Sequence, residues 1–559
     1  GRSGRRGTGV SRGKGVHLAW FLLSLAACAS LLAVTNVITF DVASVPFLWI
    51  LPLSVYLLAF VVTFKRNPWF PKCANDLLYW AVALGVVLHL VTQLHLFVPP
   101  AVSLVLQLLI LSVLCLNCAG VLAKSKPEDP EQLTTFYVVL ALGGLVGSFL
   151  VAWVMPVVSS SLVEFPAALV LVTAAAGACC VSRGAWRENQ NLNAQRPTEE
   201  HLELDSCPER SRRVGRSICI PVVVVVAAVV GVPWLAGRIW DDPNAPVLVL
   251  AMGVPVFLAI RYAAGKPWQC AAILLAATIG MHWTEDLVMG AGRVKRLRNF
   301  YGIYKIFDKG ELRYLQHGTT QHGRQYLSGP ERQTPLGYYH PTTPAAEVLT
   351  SDEFHFEQIG MVGLGTGALT CYTGSNQVFT VYELDPDNLE VARENFSYIE
   401  IAEKRGVDFR FVSGDGRLSI KSRARAQRAT YLDLLIVDAF NSGSIPVHLL
   451  TVEALRDYAE ALAPDGILLI HVSNKILELR PVLESNASAA GLAVCHRDNA
   501  GRTVPDAEET YWMAFSRDPG VTGMLVTDLG WWKGRTPAEQ LPRPWTDRYS
   551  NLLGAVRWR

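Results

Sequence analysis

The stretch Met361-Val362-Gly363-Leu364-Gly365-Thr366-Gly367 decides how this chain is read. It follows a short apolar strand pattern beginning at Gln358 and opens a helical one. Its glycines can bring backbone N–H groups close to a ligand at a helix N-terminus. About 20 residues further on, Glu383 closes the next strand pattern, where an acid can accept hydrogen bonds from ribose hydroxyls. A third strand pattern, 409–412, leads into Gly414-Asp415-Gly416, and a fourth, 432–437, leads into Asp438. Each acid is therefore expected at the carboxyl end of a parallel strand, where doubly wound sheets bind ligands. The series argues for a nucleoside cofactor. The glycines alone would also suit a plain strand-to-helix turn or a dinucleotide dehydrogenase, but beyond its backbone this turn offers nothing to a diphosphate.

At these spacings the series resembles the S-adenosylmethionine-type Rossmann domain, and that resemblance implies that Glu383 holds the ribose and Asp415 faces the adenine. Other stretches narrow the match: Arg298-Asn299-Phe300-Tyr301-Gly302, His317-Gly318-Thr319-Thr320-Gln321, Tyr338-Tyr339-His340-Pro341, Val437-Asp438-Ala439-Phe440 and Ile445-Pro446-Val447-His448-Leu449-Leu450. With these, nearly the whole chain except its two tails is similar to the membrane-fused spermidine synthase-like proteins of bacteria. The resemblance implies transfer of an aminopropyl group from decarboxylated S-adenosylmethionine to an amine acceptor, with release of methylthioadenosine. An alkylammonium has a pKa of about 10, so the nucleophile must lose a proton before it attacks. By the resemblance, Asp438 takes that proton, Tyr339 orients the nucleophile and His340 stands beside it. Gln321, Gly363, Gly365, Thr366, Gly367, Glu383 and Asp415 hold the cofactor, and Tyr338 and Asn441 the acceptor.

Two positions depart from the family pattern. The glycine turn usually carries an acid for the aminopropyl ammonium, and here that place is Thr366. A second acid usually follows the catalytic one by three residues, and here that place is Asn441. A neutral side chain cannot replace the Coulomb attraction of a carboxylate in a shielded pocket, so putrescine is expected to bind poorly. A pocket without the turn acid also tolerates intact S-adenosylmethionine.

Hydrophobic residues make up 51% of the 559 and charged ones 18%, and the charges lie outside a few long apolar runs. A bilayer-spanning helix needs about 20 mostly apolar residues. Runs 17–40, 45–64, 77–98, 102–123, 136–158 and 218–235 meet that test, while 165–181, 247–260 and 268–283 are shorter. The first run is long and heads an array of later spans, unlike a cleaved signal peptide. Arg2, Arg5, Arg6, Arg12 and Lys14 precede it, Lys65, Arg66 and Lys72 follow the second, and Lys124 and Lys126 follow the fourth. The positive-inside rule puts the N-terminus in the cytoplasm. Arg293, Lys295, Arg296 and Arg298 mark a cytoplasmic exit from the last run, so an even number of spans, eight, is expected, with one short run interfacial or re-entrant.

The expected fold is a multi-span α-helical membrane domain followed by an α/β Rossmann-like S-adenosylmethionine-type methyltransferase fold with a small β-rich N-terminal subdomain. Residues 1–16 form a basic cytoplasmic tail and 17–283 the membrane domain, interrupted by a polar linker at 183–216. Residues 284–340 form the β-rich part, with a hairpin turning at Asp308-Lys309-Gly310. The Rossmann-like domain covers 341–520, and 521–559 form a tail whose Trp531, Trp532, Trp545 and Trp558 are expected to pack against the domain. Cys115 and Cys118 sit within an apolar run with no second pair nearby, which reads as packing; no metal is expected. Net charge is +2 and there is no basic stripe, so nucleic acid is not an expected partner. The expected partners are a small-molecule amine and membrane lipids, with a homodimer left open. The expected location is the bacterial inner membrane with a cytoplasmic catalytic domain. Methyl transfer, methylthioadenosine release from intact S-adenosylmethionine, and a transporter regulated by a nucleoside-binding domain stay open as alternatives.

Overall fold

The computed structural model describes residues 9–42, 46–66, 69, 74–93, 98–193, 225, 227–228, 245–288, 295–318, 320–427, 431–439, 446–474, 477–499, 504–533 and 536–557. The chain divides into two compact units, Gly1–Ala291 with Leu297–Phe300, and Gly292–Arg296 with Tyr301–Arg559.

Continuous apolar sequence makes the first unit helical. Its helices are α1 (Gly9–Val37), α2 (Ile50–Phe64), α3 (Ala74–Gln93), α4 (Pro100–Lys124) and α5 (Pro130–Phe149), followed by Glu164–Asn193, Ala245–Tyr262 and Pro267–Val288. Eight of the nine apolar runs thus fall on helices, and the ninth, 218–235, lies almost wholly outside the described residues. The helix from Glu164 continues to Asn193, eleven residues into the segment read as linker, where Ala185, Arg187, Glu188 and Gln190 are good helix formers. The remainder of that segment lies outside the described residues. Gly15–Phe40, Pro100–Lys124 and Pro130–Val158 are long and apolar enough to cross a bilayer, while Ile50–Phe64, Asp76–Thr92 and the other apolar helices are shorter.

Small residues set how closely these helices approach. A Cβ on Gly143 would lie 2.5 Å from the Phe21 carbonyl oxygen, and one on Gly147 would lie 2.4 Å from that of Leu25. The four-residue spacing places both glycines of α5 on one face, and α1 packs directly on their backbone. Ser24 Oγ donates to the Leu140 carbonyl at 2.7 Å, and Trp20 Nε1 donates to Ser125 Oγ at 3.0 Å. Cys115 and Cys118 are buried within α4. Also inside the first unit, the Arg298 guanidinium pairs with Glu164 and donates to the Ser161 carbonyl at 2.8 Å; both charged side chains are almost wholly buried.

The second unit contains two sheets. The smaller has the order β1 (Lys295–Arg298, of which Lys295 and Arg296 belong to this unit), β2 (Ile303–Lys309), β3 (Leu312–His317), β4 (Thr320–Tyr326). β2 and β3 form the expected hairpin, with Lys309 opposite Leu312 and Gly310 in the left-handed region at φ 60°. The larger sheet is built from β5 (Gln358–Val362), β6 (Val378–Glu383), β7 (Asp408–Ser413), β8 (Leu432–Val437), β9 (Leu462–His471), β10 (Ala493–Asp498), β11 (Tyr511–Ser516) and β12 (Trp532–Lys533). Its spatial order is β12-β10-β11-β9-β8-β5-β6-β7. β7, β6, β5, β8 and β9 run parallel, and β11 and β10 continue antiparallel. The chain proceeds outward from β5 on one side and from β8 on the other, so the strand order reverses between them. That switch point opens a crevice at their carboxyl ends. Leu434, Leu435, Ile436 and Val437 of β8 are wholly buried, as a central strand covered on both faces requires.

One sequence expectation is corrected here. The turn after β5 opens a single 3-10 turn, Ala368–Tyr372, and no long α-helix. Thr370 and Thr373 bond back to the carbonyls of Gly367 and Thr370, which competes with helix propagation, and Gly374 follows. In the tail, Trp531 and Trp545 are buried, Trp532 is exposed, and Trp558 lies outside the described residues.

Replacing Gly147 with Leu should force α1 and α5 apart. Overpacking costs about 1–3 kcal/mol, which in a unit of this size lowers the thermal midpoint by roughly 3–10 °C. A midpoint in detergent equal to that of the parent protein would remove this contact from the packing account.

Candidate active site

The glycine turn and the end of β8 meet at the switch point. Gly363 sits at φ 92°, and a Cβ there would lie 2.3 Å from the carbonyl oxygen of Asp438. The Asp438 amide donates to the Val362 carbonyl at 2.9 Å. Gly365, at φ 55°, brings the turn under β4: a Cβ there would lie 3.0 Å from the His322 carbonyl oxygen and 3.5 Å from the Tyr339 hydroxyl. Backbone from β5, β8 and β4 therefore converges with no room for side chains between.

Asp438 is enclosed by two donors. The Tyr339 hydroxyl donates to Oδ2 at 2.8 Å, and His471 Nδ1 lies 2.8 Å from Oδ1. The Asp438 side chain is only 3% exposed and that of His471 5%. Burial pushes the Asp438 carboxyl up, yet the attraction and hydrogen bond of the neighbouring His471, with the Tyr339 hydroxyl and His322, outweigh it and hold the group below its ordinary value. Burial and the neighbouring Asp438 keep Tyr339 a neutral phenol, well above its usual range. Burial and His317 lower His322 to about 4, against the opposing pull of Asp438, so its imidazole is neutral at physiological pH. Its Nε2 is shielded from solvent without a hydrogen-bond partner.

Glu383 ends β6 as the sequence implies. Its Oε2 accepts the Leu364 amide at 2.9 Å and Asn388 Nδ2 at 3.1 Å, and its Oε1 accepts the Asp385 amide at 3.1 Å. Burial raises its carboxyl and these donors partly offset the rise. A carboxylate has about four acceptor positions, so three protein donors leave room for one more. Asp415 Oδ1 caps the helix Gly416–Gln427 by accepting the Leu418 amide at 2.9 Å, and its Oδ2 meets His448 Nε2 at 2.9 Å. A polar cleft of about 730 Å³ opens beside Asp415, His448, Val447 and Leu418, and continues to Arg417, Asp457 and Asp547.

The remaining expected residues divide. Gln321 Nε2 donates to Glu508 Oε1 at 3.2 Å. Burial raises Tyr338, and its bonded neighbour Glu508 adds to that effect; its ring lies 6.0 Å from that of His471. Thr366 is wholly buried with no partner for Oγ1, and the vacant side of Gly323 on β4 receives it: a Cβ on Gly323 would lie 2.6 Å from that oxygen. His340 is turned into its own loop, where Nδ1 lies 2.9 Å from Thr342 Oγ1 and accepts the Thr342 amide at 3.3 Å, so the structure does not bring it to Asp438. The reason is local: the turn through Pro341 directs the ring back onto Thr342. Asn441 lies outside the described residues. Among those residues, no group of three or more His, Cys, Asp or Glu side chains could hold a metal ion.

No family model matches the chain. A polyamine aminopropyltransferase from Vibrio vulnificus is 32% identical over 117 residues, 20% of this chain and 36% of that protein, so the chain spans about a third of the length of the curated relative it matches. Among solved structures, a probable spermidine synthase from Corynebacterium glutamicum aligns with TM-score 0.34 at 15% identity, covering 46% of this chain and 98% of its own. The spermidine synthase of Thermotoga maritima aligns with TM-score 0.29 at 14% identity, covering 44% and 82%.

Three residues at Asp438 and Tyr338 escaped the sequence reading: His471, Ser473 and Glu508. His471 had a usable signal, since it closes the apolar run Gly466–Ile470 as Glu383 and Asp438 close theirs. Glu508 had none, because it arrives from the connection between β10 and β11.

Glu383→Gln removes the charge and turns an amide donor toward Leu364 or Asn388. Affinity for methylthioadenosine, measured calorimetrically, should fall at least about tenfold. The thermal midpoint should fall as well, because the glycine turn loses its anchor. Unchanged affinity in a folded variant would remove Glu383 from the nucleoside site.

Proposed function

We propose that the chain is a membrane-integral, spermidine synthase-like transferase that alkylates an amine acceptor with decarboxylated S-adenosylmethionine or S-adenosylmethionine and releases methylthioadenosine. The observation that carries this reading is Asp438, an aspartate that meets Tyr339 and His471 at the switch point of a parallel sheet, beside a glycine turn and a ribose-compatible glutamate. The curated aminopropyltransferase similar over 117 residues supports the same reaction class.

In this mechanism the ammonium form of the acceptor approaches the free lone pairs of Asp438 and gives up a proton to the carboxylate, and the nitrogen lone pair so freed attacks the carbon next to the sulfonium. The carbon–sulfur bond breaks, its electron pair returns to sulfur, and methylthioadenosine leaves. The sulfonium supplies the activation, so the protein's contribution is alignment and proton removal. The neutral, buried Thr366 offers no carboxylate to an aminopropyl ammonium and repels no α-carboxylate. Thr366 thus favours acceptance of both cofactor forms and keeps methyl transfer from intact S-adenosylmethionine as a second reading.

Lipid is the proposed cover for the first unit. Leu145, Trp153, Val157 and Val158 around α5 are between 65% and 86% exposed, an apolar surface that water would not leave bare. The proposed location is a bacterial cell membrane with the catalytic domain on the cytoplasmic side, where the cell's supply of the cofactor lies. An amine acceptor and membrane lipids are the proposed partners, with a homodimer also compatible.

Asp438→Asn keeps the shape and removes the base. Mass spectrometry of products from both cofactor forms should register a turnover loss of about 100-fold or more, with methylthioadenosine affinity little changed. Near-normal turnover by a stable variant would leave methyl transfer or nucleoside sensing as the better account.

Reporters inserted at 194–216 and after Arg559 should both register the cytoplasm. Labelling of the second unit from outside intact cells would overturn the proposed orientation.

A further inference from the structure

Proton removal by Asp438 requires a carboxylate that stays ionised and aimed while it is buried, and Tyr339 satisfies only one of its oxygens. We propose that His471 is the positioning residue that fixes the other oxygen, and that the Ser473–His471–Asp438 chain sets the pH above which the site becomes active. This inference rests on the alkyl-transfer reading.

The hydrogen-bond directions follow from the partners. An ionised carboxylate only accepts, so the 2.8 Å contact to Oδ1 places a proton on His471 Nδ1. Ser473 Oγ accepts the Tyr511 amide at 2.7 Å, which leaves its hydroxyl hydrogen for His471 Nε2, 2.8 Å away. Both ring nitrogens are thereby engaged and the tautomer is fixed. The ring plane is fixed too. The β9–β11 register sets Trp512 opposite His471, and their rings stack with centroids 4.6 Å apart and planes 11° apart.

The titratable groups facing this pair are few. Tyr339 meets Oδ2, Tyr338 flanks the imidazole with Glu508 behind it, and His322 of β4 faces Asp438. Tyr338 and Tyr339 are neutral phenols and His322 a neutral imidazole, so none of them supplies a permanent positive charge. His471 and the Tyr339 hydroxyl are the direct donors that keep the carboxylate ionised. Asp438 works as a base only when deprotonated, so activity is present above its pKa and lost as pH falls through it. Removing the His471 donor raises that pKa and moves the acidic limb of the rate profile to higher pH.

The test uses the full-length protein in detergent, with kcat/KM against pH for the parent, His471→Ala and His471→Gln, alongside methylthioadenosine affinity and thermal midpoint. His471→Ala should lower kcat about tenfold or more with KM little changed, and should raise the acidic limb by about one pH unit. His471→Gln, whose amide can still donate to Oδ1, should recover much of both. An unshifted acidic limb with a lowered thermal midpoint would reduce His471 to a structural role and overturn the proposal. If the parent protein releases no methylthioadenosine from either cofactor form, the alkyl-transfer reading fails, and imidazole nitrogen NMR decides the His471 question separately. Those spectra should place the imidazole proton on Nδ1 in the parent protein; a proton on Nε2 would overturn the pairing itself.

Discussion

A buried carboxyl group at the switch point is the constraint on which the second unit depends. Taking a carboxylate out of water is tolerable only if its oxygens find donors, and Asp438 finds them in Tyr339 and His471. Those two donors come from different places, one from the loop after the small sheet and the other from the end of β9. Satisfying one aspartate thus ties the small sheet's connection to the parallel core. Beyond the carboxylate, the glycine turn closes beneath it on bare backbone, which is why Gly363 cannot carry a side chain.

Much of this arrangement was legible in the sequence because it is local. Strand patterns of four to six residues, each closed by an acid, placed Glu383, Asp415 and Asp438 at strand ends, and the turn read at Asp308-Lys309-Gly310 anticipated the β2–β3 hairpin, although Asp308 and Lys309 still belong to β2 and the chain turns over Gly310 and Glu311. What was not legible depends on pairings between distant strands. Trp512 faces His471 only because β11 inserts antiparallel between β9 and β10. Glu508 reaches Gln321 across 187 residues of sequence. His340 was expected at the site through the resemblance carried by Tyr338-Tyr339-His340-Pro341, but adjacent residues point different ways in a turn, and its ring closes on Thr342 instead. The 3-10 turn after the glycines was hidden for a different reason: Thr370 and Thr373 bond to nearby backbone carbonyls and compete with helix propagation.

In the first unit the sequence located the helices well, since apolar runs of this length leave few options to a backbone that must satisfy its own hydrogen bonds. Composition could not give the closeness of α1 and α5. That follows from two glycines four residues apart, whose missing side chains leave space for the carbonyls of Phe21 and Leu25.

Thr366 and Gly323 have an evolutionary consequence. Each occupies the space the other would need: Gly323, at φ 142°, has no room for even one carbon against the threonine, and the threonine fills its closed pocket completely. A carboxylate placed at 366 would be buried where the threonine hydroxyl already lacks a partner, and position 323 already carries the smallest residue. The two positions are therefore coupled, and what either can become is limited by the other.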